Sequence, residues 1–340
     1  MNRVIGEFIG GSARIWEKRG ERIVGGLQLE NGKEVWFEDA YVGEFSSNLA
    51  LTDNGVRMGY INRMGELVIP MSFEIADDFS EKLAFVSDLQ KTWLIDTSAD
   101  IVHEFDESFV TGQFSDGLAR ISRIPSQGKG ENRIDGFVDR VGEWVIPCVY
   151  EKQIEKAFEF VDPDDIFSES LVRMAQSGKY GFLDKKNRWV IPPEYDWCSR
   201  FSDGLAAVRM RSAYGYINRE NELELPLGFD CASRFSQDLA AVSIHGNWGY
   251  IDRKGNLQME TRYQWAAPFL NDTAAVCQNN KWGLIDGHGI WIVLPQYDAI
   301  RPFVEGICEF KLGQRTGKRD IYGNEVIGQT ETPRGFADMN

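Results

Sequence analysis

One sentence recurs along this chain. "RFSDGLAAVRMRSAYGYINRENELELP" runs from Arg200 to Pro226, and "RFSQDLAAVSIHGNWGYIDRKGNLQME" follows from Arg234 to Glu260, 34 residues later. Internal repetition at a fixed period of this length is the mark of stacked or radial repeat architectures, and it constrains the fold more than any other feature. Anchored on the phenylalanine of "FS-x-x-LA", the unit returns at Phe45, Phe79, Phe114, Phe167, Phe201, Phe235, Phe269 and Phe303, with spacings of 34, 35, 53, 34, 34, 34 and 34.

Five residues after each anchor stands a compact apolar residue: Ala50, Ala84, Ala119, Val172, Ala206, Ala240, Ala274 and Cys308. A column this narrow predicts close approach of neighbouring units. A "G-aromatic-I-D" element follows, as in Gly215-Tyr216-Ile217-Asn218 and Gly249-Tyr250-Ile251-Asp252. Three residues past the Asp or Asn comes Gly or Asn, as at Gly65, Asn221 and Gly255. Asp or Asn opening a turn that a left-handed residue closes is hairpin chemistry. Prolines at 70, 147, 192, 226 and 295 then mark a strand end or a sheet edge.

Each unit therefore reads as three short antiparallel strands, "LAAV", "YGYIN" and "LVIP". A turn-rich link such as "PEYDWCSRF" follows, with room for one helical turn. No extended 3.6-residue apolar period is present. One such unit has too little to bury alone, so neighbours must cover its second face. The expected fold is all-β: eight to nine tandem 34-residue units in an open, curved or superhelical stack, with a closed propeller-like ring as the alternative. Residues 1–44 read as a degenerate N-terminal capping repeat and residues 45–328 as the array. Insertions fall near 124–134 and 151–166, and residues 329–340 form a C-terminal tail.

The segments "NWGYIDRKG" (Asn247 to Gly255) and "KWGLIDGHG" (Lys281 to Gly289) resemble the bacterial WG-repeat family. The resemblance covers roughly residues 26 to 328. Trp93-Leu94-Ile95-Asp96 departs from it by lacking the glycine, and Gly317-Lys318-Arg319-Asp320 by lacking the apolar core. The resemblance implies tandem β units used as interaction surfaces, in contexts that include toxin–immunity loci. It implies no shared activity and carries over no catalytic residue.

The residues themselves offer little chemistry. Histidine is scarce, at 103, 245 and 288, and neither His245 nor His288 has a Cys or carboxylate partner at metal-ligand spacing. The five cysteines, at 148, 198, 231, 277 and 308, form no C-x-x-C pair and read as reduced packing residues. The recurrent Asp96, Asp139, Asp184, Asp252, Asp286 and Asp320 read as turn openers rather than a calcium ladder. Phosphate-loop, serine-hydrolase and zinc-protease signatures are missing. Of the ten tryptophans, Trp144 and Trp189 share a slot with Leu67, Leu223 and Leu257, and Trp197 and Trp265 share that of Ile75, which predicts packing.

With 52 acidic against 37 basic residues the net charge is -15, which disfavours nucleic acid and anionic membrane and suits a basic protein partner. No apolar run is long enough to cross a bilayer and the N-terminus lacks a secretory h-region, so a cytoplasmic location is expected. The function expected is a non-enzymatic protein-binding scaffold without cofactor or metal, in its specific form an immunity- or antitoxin-like protein neutralising a basic toxin domain. The alternative is a glycan- or peptide-binding module using a Trp-rich face.

What breaks a repeat is a better functional candidate than what recurs. The 53-residue step from Phe114 to Phe167 holds both insertions. Phe114 to Gly136 takes 22 residues rather than 14, and Pro147 to Phe167 takes 20 rather than nine. The second insertion gathers Glu151, Glu155, Glu159, Asp162, Asp164, Asp165 and Glu169, with Phe158 and Phe160 able to dock a short helix. These carboxylates are the expected partner-binding residues. For the fold, circular dichroism should report less than about one tenth helix; a helix-dominated spectrum overturns the strand assignment.

Overall fold

The computed structural model describes residues 3–20, 22–37, 40–106, 109–123, 134–151 and 166–328. Those residues form nine antiparallel sheets and no helix: residues 3–37, 41–73, 75–105, 110–151, 171–195, 197–229, 231–263, 265–297 and 299–328, numbered here from first to ninth sheet. In each sheet the strands pair in chain order as a meander.

The seventh sheet shows how the repeat writes this. Its strands are Cys231–Ala232, Ala240–Ile244, Asn247–Ile251 and Leu257–Tyr263. The expected "LAAV", "YGYIN" and "LVIP" strands are thus the second, third and fourth. The first lies in the link, where a helical turn had room to form. A two-residue strand is too short to show a period, so the three-strand expectation is corrected to four; the fifth sheet has three among the described residues.

The first and second strands are joined through "FS-x-x-L". Gln237 and Asp238 have φ of 56° and 62°, and Ser236 and Leu239 exchange backbone hydrogen bonds of 2.8 and 3.2 Å. Two successive positive φ values define a type I′ hairpin, whose twist matches the flanking strands. The third turn is the one expected from the sequence. Asp252 Oδ1 accepts from the backbone N–H of Lys254 and Asn256, both at 2.9 Å, and Gly255 takes a φ of 81°. Asn62, Asp96, Asp139, Asp184, Asn218, Asp286 and Asp320 make the same pair of bonds.

The motif glycine has a different task. Between Trp248↔Tyr263 and Tyr250↔Met259 the ladder shifts register, and the fourth strand bulges over Gly249. A Cβ there would lie 2.5 Å from the Met259 carbonyl oxygen. The third sheet shows the converse. Trp93 occupies the glycine slot, and pairing runs straight past it from Thr92↔Phe105 to Leu94↔His103.

Within each of two compact units of the chain, packing joins successive sheets. The motif aromatic of one sheet meets the anchor phenylalanine of the following one: Tyr60 with Phe79 at 4.7 Å, Phe137 with Phe167 at 5.1 Å, Phe182 with Phe201 at 4.7 Å and Tyr250 with Phe269 at 5.0 Å between ring centroids. Tyr60 and Tyr250 also donate their hydroxyls to the Asp77 and Ala267 carbonyls, at 2.6 and 2.8 Å. The compact column lies in these joints. Ala206, fully buried, packs in a core drawn from the fifth and sixth sheets with Phe182, Phe201 and Ile217. In the third sheet Leu94 fills the aromatic slot, and Phe85 supplies the missing ring by stacking on Phe114 at 5.7 Å.

The chain divides into two compact units, residues 1–38 with 228–340 and residues 39–227, the division falling within the strand Leu223–Phe229. Inside the first unit, Val4 and Trp16 of the first sheet share a core with Ile307 and Val326 of the ninth. Glu7 donates its backbone N–H to the Glu305 carbonyl at 2.9 Å. An open stack would leave these end sheets apart; their contact is the arrangement expected of the closed propeller-like alternative, and the open-stack expectation is corrected accordingly. Lys318, in the aromatic slot of the ninth sheet, forms an ion pair with Glu309 and lies 4.9 Å from the Trp16 ring centroid. The apolar core absent from that motif is thus replaced by a charged joint.

Two substitutions test this packing. Ala206→Leu should overpack its joint, and Gly249→Ala should collide with the Met259 carbonyl. Each should lower stability by about 1–3 kcal/mol. An unchanged denaturation midpoint for either variant would remove that contact from the account.

Candidate functional site

The described residues divide into those that hold the repeat together and those that leave it free to vary. At the first-turn end of the sheets, serine and turn-tip side chains stitch neighbours. Ser115, Ser168 and Ser236 donate their hydroxyls to the Phe167, Phe201 and Phe269 carbonyls at 2.7, 2.7 and 2.8 Å, and Ser80 Oγ accepts from Phe114 N–H at 2.6 Å. Beside them, Glu81 accepts from Gly117 N–H at 3.0 Å, Asp116 from Ser170 at 2.7 Å, and Gln237 from Asp272 at 3.1 Å.

Glu169 belongs to this seam. Its Oε1 accepts from Gly204 N–H at 2.9 Å, so the carboxylate grips the sixth sheet. Of the other acidic candidates, Glu151 ends the strand Trp144–Glu151, while Glu155, Glu159, Asp162, Asp164 and Asp165 lie outside the described residues, as do Phe158 and Phe160. The flanks of the two insertions are described and adjacent. Arg123 pairs with Ile134, and Ile134 pairs with Glu151. Both insertions therefore leave the fourth sheet at the end opposite the seam, as alternation in a meander requires.

At that opposite end, the residue after the fourth strand caps the next hairpin. Asp196 accepts from Arg211 N–H at 2.5 Å, Asp230 from Gly246 at 2.9 Å and Gln264 Oε1 from Asn280 at 2.6 Å. Lys179 holds Asp196 at 2.5 Å, and this hydrogen bond keeps the Asp196 carboxyl below the usual range. The Arg188 guanidinium does the same to Asp184, and hydrogen bonding from the Asn256 side chain to Asp252. These carboxylates are ionised structural acceptors.

The nucleophile candidates are packing groups. Cys198, Cys277 and Cys308 are buried, and burial pushes the Cys308 thiol up to about 12. A thiol raised so far is a poor source of thiolate. His245 and His288 are exposed turn residues, whereas His103 lies between Phe105, at 4.5 Å, and Gly142, whose missing Cβ leaves room for the ring. Among the described residues, no three His, Cys, Asp or Glu side chains are placed to hold a metal ion. Among the same residues, no helix is long and apolar enough to cross a membrane.

The tryptophans pack as expected on one side. Trp189 meets Tyr150 edge-on at 6.0 Å, Trp291 meets Tyr263 at 6.1 Å, and Trp248 stacks on Trp265 at 5.4 Å. Other members of the slot that holds Trp189 differ from expectation: Trp144, Leu67, Leu223 and Leu257 are half-exposed on the fourth strand, an edge of its sheet. Sequence reasoning missed this because a column of apolar residues looks the same whether one or both of its sides are covered.

No curated protein sequence matches the chain. Solved structures that match the chain include BamB from Moraxella catarrhalis, at 12% identity and a TM-score of 0.42 over 80% of this chain and 92% of that one. A eukaryotic initiation factor matches at 10% identity and a TM-score of 0.46 over 95% and 86%. Hsv2 from Kluyveromyces lactis matches at 9% identity and a TM-score of 0.39 over 75% and 97%. A family model described as "WG containing repeat" matches six times, at residues 58–91, 136–162, 180–212, 214–248, 248–282 and 282–315. Those six matches span more than half of the chain, and the glycines, turn-opening acids and anchor phenylalanines they contain are the residues that build the sheets: the chain belongs to the WG containing repeat family.

Proposed function

We propose that this protein is a non-enzymatic, protein-binding repeat scaffold that acts in the cytoplasm on a basic protein partner. In its more specific form it is an immunity- or antitoxin-like protein that neutralises a basic toxin domain. The observation that carries this reading is how the recurrent polar groups are used. The motif Asp and Asn residues, the seam serines and the capping acids are spent on turns and joints. What remains is a chain of net charge -15 with half-exposed apolar residues on fourth strands, such as Leu67, Leu223 and Leu257, and in turns, such as Phe8 and Leu270. Such a surface attracts a cationic protein over distance and gives it apolar contacts on arrival. Binding of a glycan or peptide through a Trp face has less support, because Trp144 alone among the described tryptophans is exposed.

The insertions after Arg123 and Glu151 are the first places to test. The partner is captured from the native host and identified, and its affinity is measured against salt. Reversing the charge of Asp162, Asp164 and Asp165 should weaken binding about tenfold at low salt and flatten its salt dependence. Co-expression with the partner should relieve any toxicity the partner has. Unchanged affinity and salt dependence in a folded variant would place the contact elsewhere, and a partner without basic character would overturn the electrostatic reading.

A further inference from the structure

The seam of serines stops at one place. The residue after each anchor phenylalanine is Ser46, Ser80, Ser115, Ser168, Ser202 and Ser236, and then Leu270 in the eighth sheet and Val304 in the ninth. The first sheet continues the series with Ile9, because Ile9 bridges Ser12 across Gly10 and Gly11 just as Ser236 bridges Leu239. Three apolar side chains thus replace serine on three successive sheets of one compact unit.

Hydrogen bonds connect the three turns. Asn271 Nδ2 donates to the Phe303 carbonyl at 2.9 Å, placing the eighth-sheet tip beside Val304. Glu7 N–H donates to Glu305 at 2.9 Å, placing the ninth-sheet tip beside Phe8 and Ile9. The strip faces solvent at Leu270, 47% exposed, Ile9, 41%, and Phe8, 50%, while Val304 is partly buried. Phe8 occupies the anchor slot, five residues before buried Ala13, yet the corresponding Phe235, Phe269 and Phe303 are buried. Burial of an apolar side chain is favourable, so an array with serine available at this slot gains nothing for its own folding from leaving these residues in water. Residues 7–11, 269–273 and 303–307 carry Glu7, Asp272 and Glu305 and no Lys or Arg.

Building on the protein-binding reading, we propose that the strip formed by Leu270, Val304, Phe8 and Ile9 is a docking surface for a basic amphipathic protein segment. The segment's apolar side chains lie along the strip, and its flanking Lys or Arg residues meet Asp272, Glu305 and Glu7. The chemistry is complementary on both counts: an apolar centre and an acidic border call for an apolar centre and a cationic border.

The test uses the full chain and labelled synthetic peptides: alternating Leu/Lys as the probe, with alternating Ser/Lys and Leu/Glu for comparison. Fluorescence anisotropy should show tightest binding of the Leu/Lys peptide. The variant Ile9→Ser/Leu270→Ser/Val304→Ser, which restores the residue native to this slot in other sheets, should bind it at least about tenfold more weakly. Its thermal midpoint should stay unchanged. Leu257→Ser, on an outer strand of the same unit, should bind like the wild type. If the triple variant retains full affinity for the Leu/Lys peptide, the surface is wrong while the protein-binding reading stands. If the wild type does not prefer Leu/Lys to Leu/Glu, the basic-partner reading itself fails. Self-association that the triple variant abolishes would assign the strip to a second copy and overturn the proposed occupant.

Discussion

Everything in this fold depends on how closely the fourth strand of a sheet passes over the third. In the second sheet and the fourth to eighth, a side chain on the motif glycine would begin 2.4–2.7 Å from a carbonyl oxygen of the fourth strand. That distance excludes any Cβ, so glycine is a requirement of space and not of dihedral freedom. The bulge it permits turns the fourth strand and leaves the adjacent aromatic directed into the joint, where it meets the next anchor phenylalanine. Local geometry in one sheet thereby sets the packing of its neighbour, which is why the motif recurs as a block.

The exceptions follow the same logic. Trp93 replaces the glycine, and the third sheet gives up that part of the bulge. Leu94 is too small for the joint, and Phe85 fills it from the adjoining strand. Lys318 replaces the aromatic in the ninth sheet, and its neighbours become Glu309 and Trp16. Arg14 also lies over Trp16, at 4.7 Å. Lys318, Arg301 and Arg14 together hold the Glu309 carboxyl below its usual range, outweighing the burial that would raise it. The contribution of that ionised group is present above the ordinary glutamate range and is lost as pH falls through its lowered value.

Much of this was legible in the residues. The period, the Asp-opened turn and the compact column each have a direct physical cause, and each stands where it was expected. The first strand was hidden because Trp197–Cys198 is two residues long and ambiguous in pattern. The I′ hairpin was partly visible as Asp116-Gly117 and Asp203-Gly204, but Gln237-Asp238 adopts the same backbone without glycine. The first sheet carries a readable sign: Phe8 precedes Ala13 by the same five residues that separate every other anchor from its column. Glu169 shows the reverse difficulty. A carboxylate beside an insertion looks free in the sequence, and only neighbouring backbone in space reveals that it binds Gly204.

The seam has a consequence for how such chains change over time. Ser115 still reaches Phe167, and Asp116 still reaches Ser170, across a step 19 residues longer than the rule. The added residues enter at the far end of the sheet, where strands two and three turn and where strand four departs. One end of each repeat is therefore committed to its neighbours, and the other can accept new sequence without renegotiating that commitment. A lineage built this way can lengthen that end through insertions while inheriting its architecture unchanged.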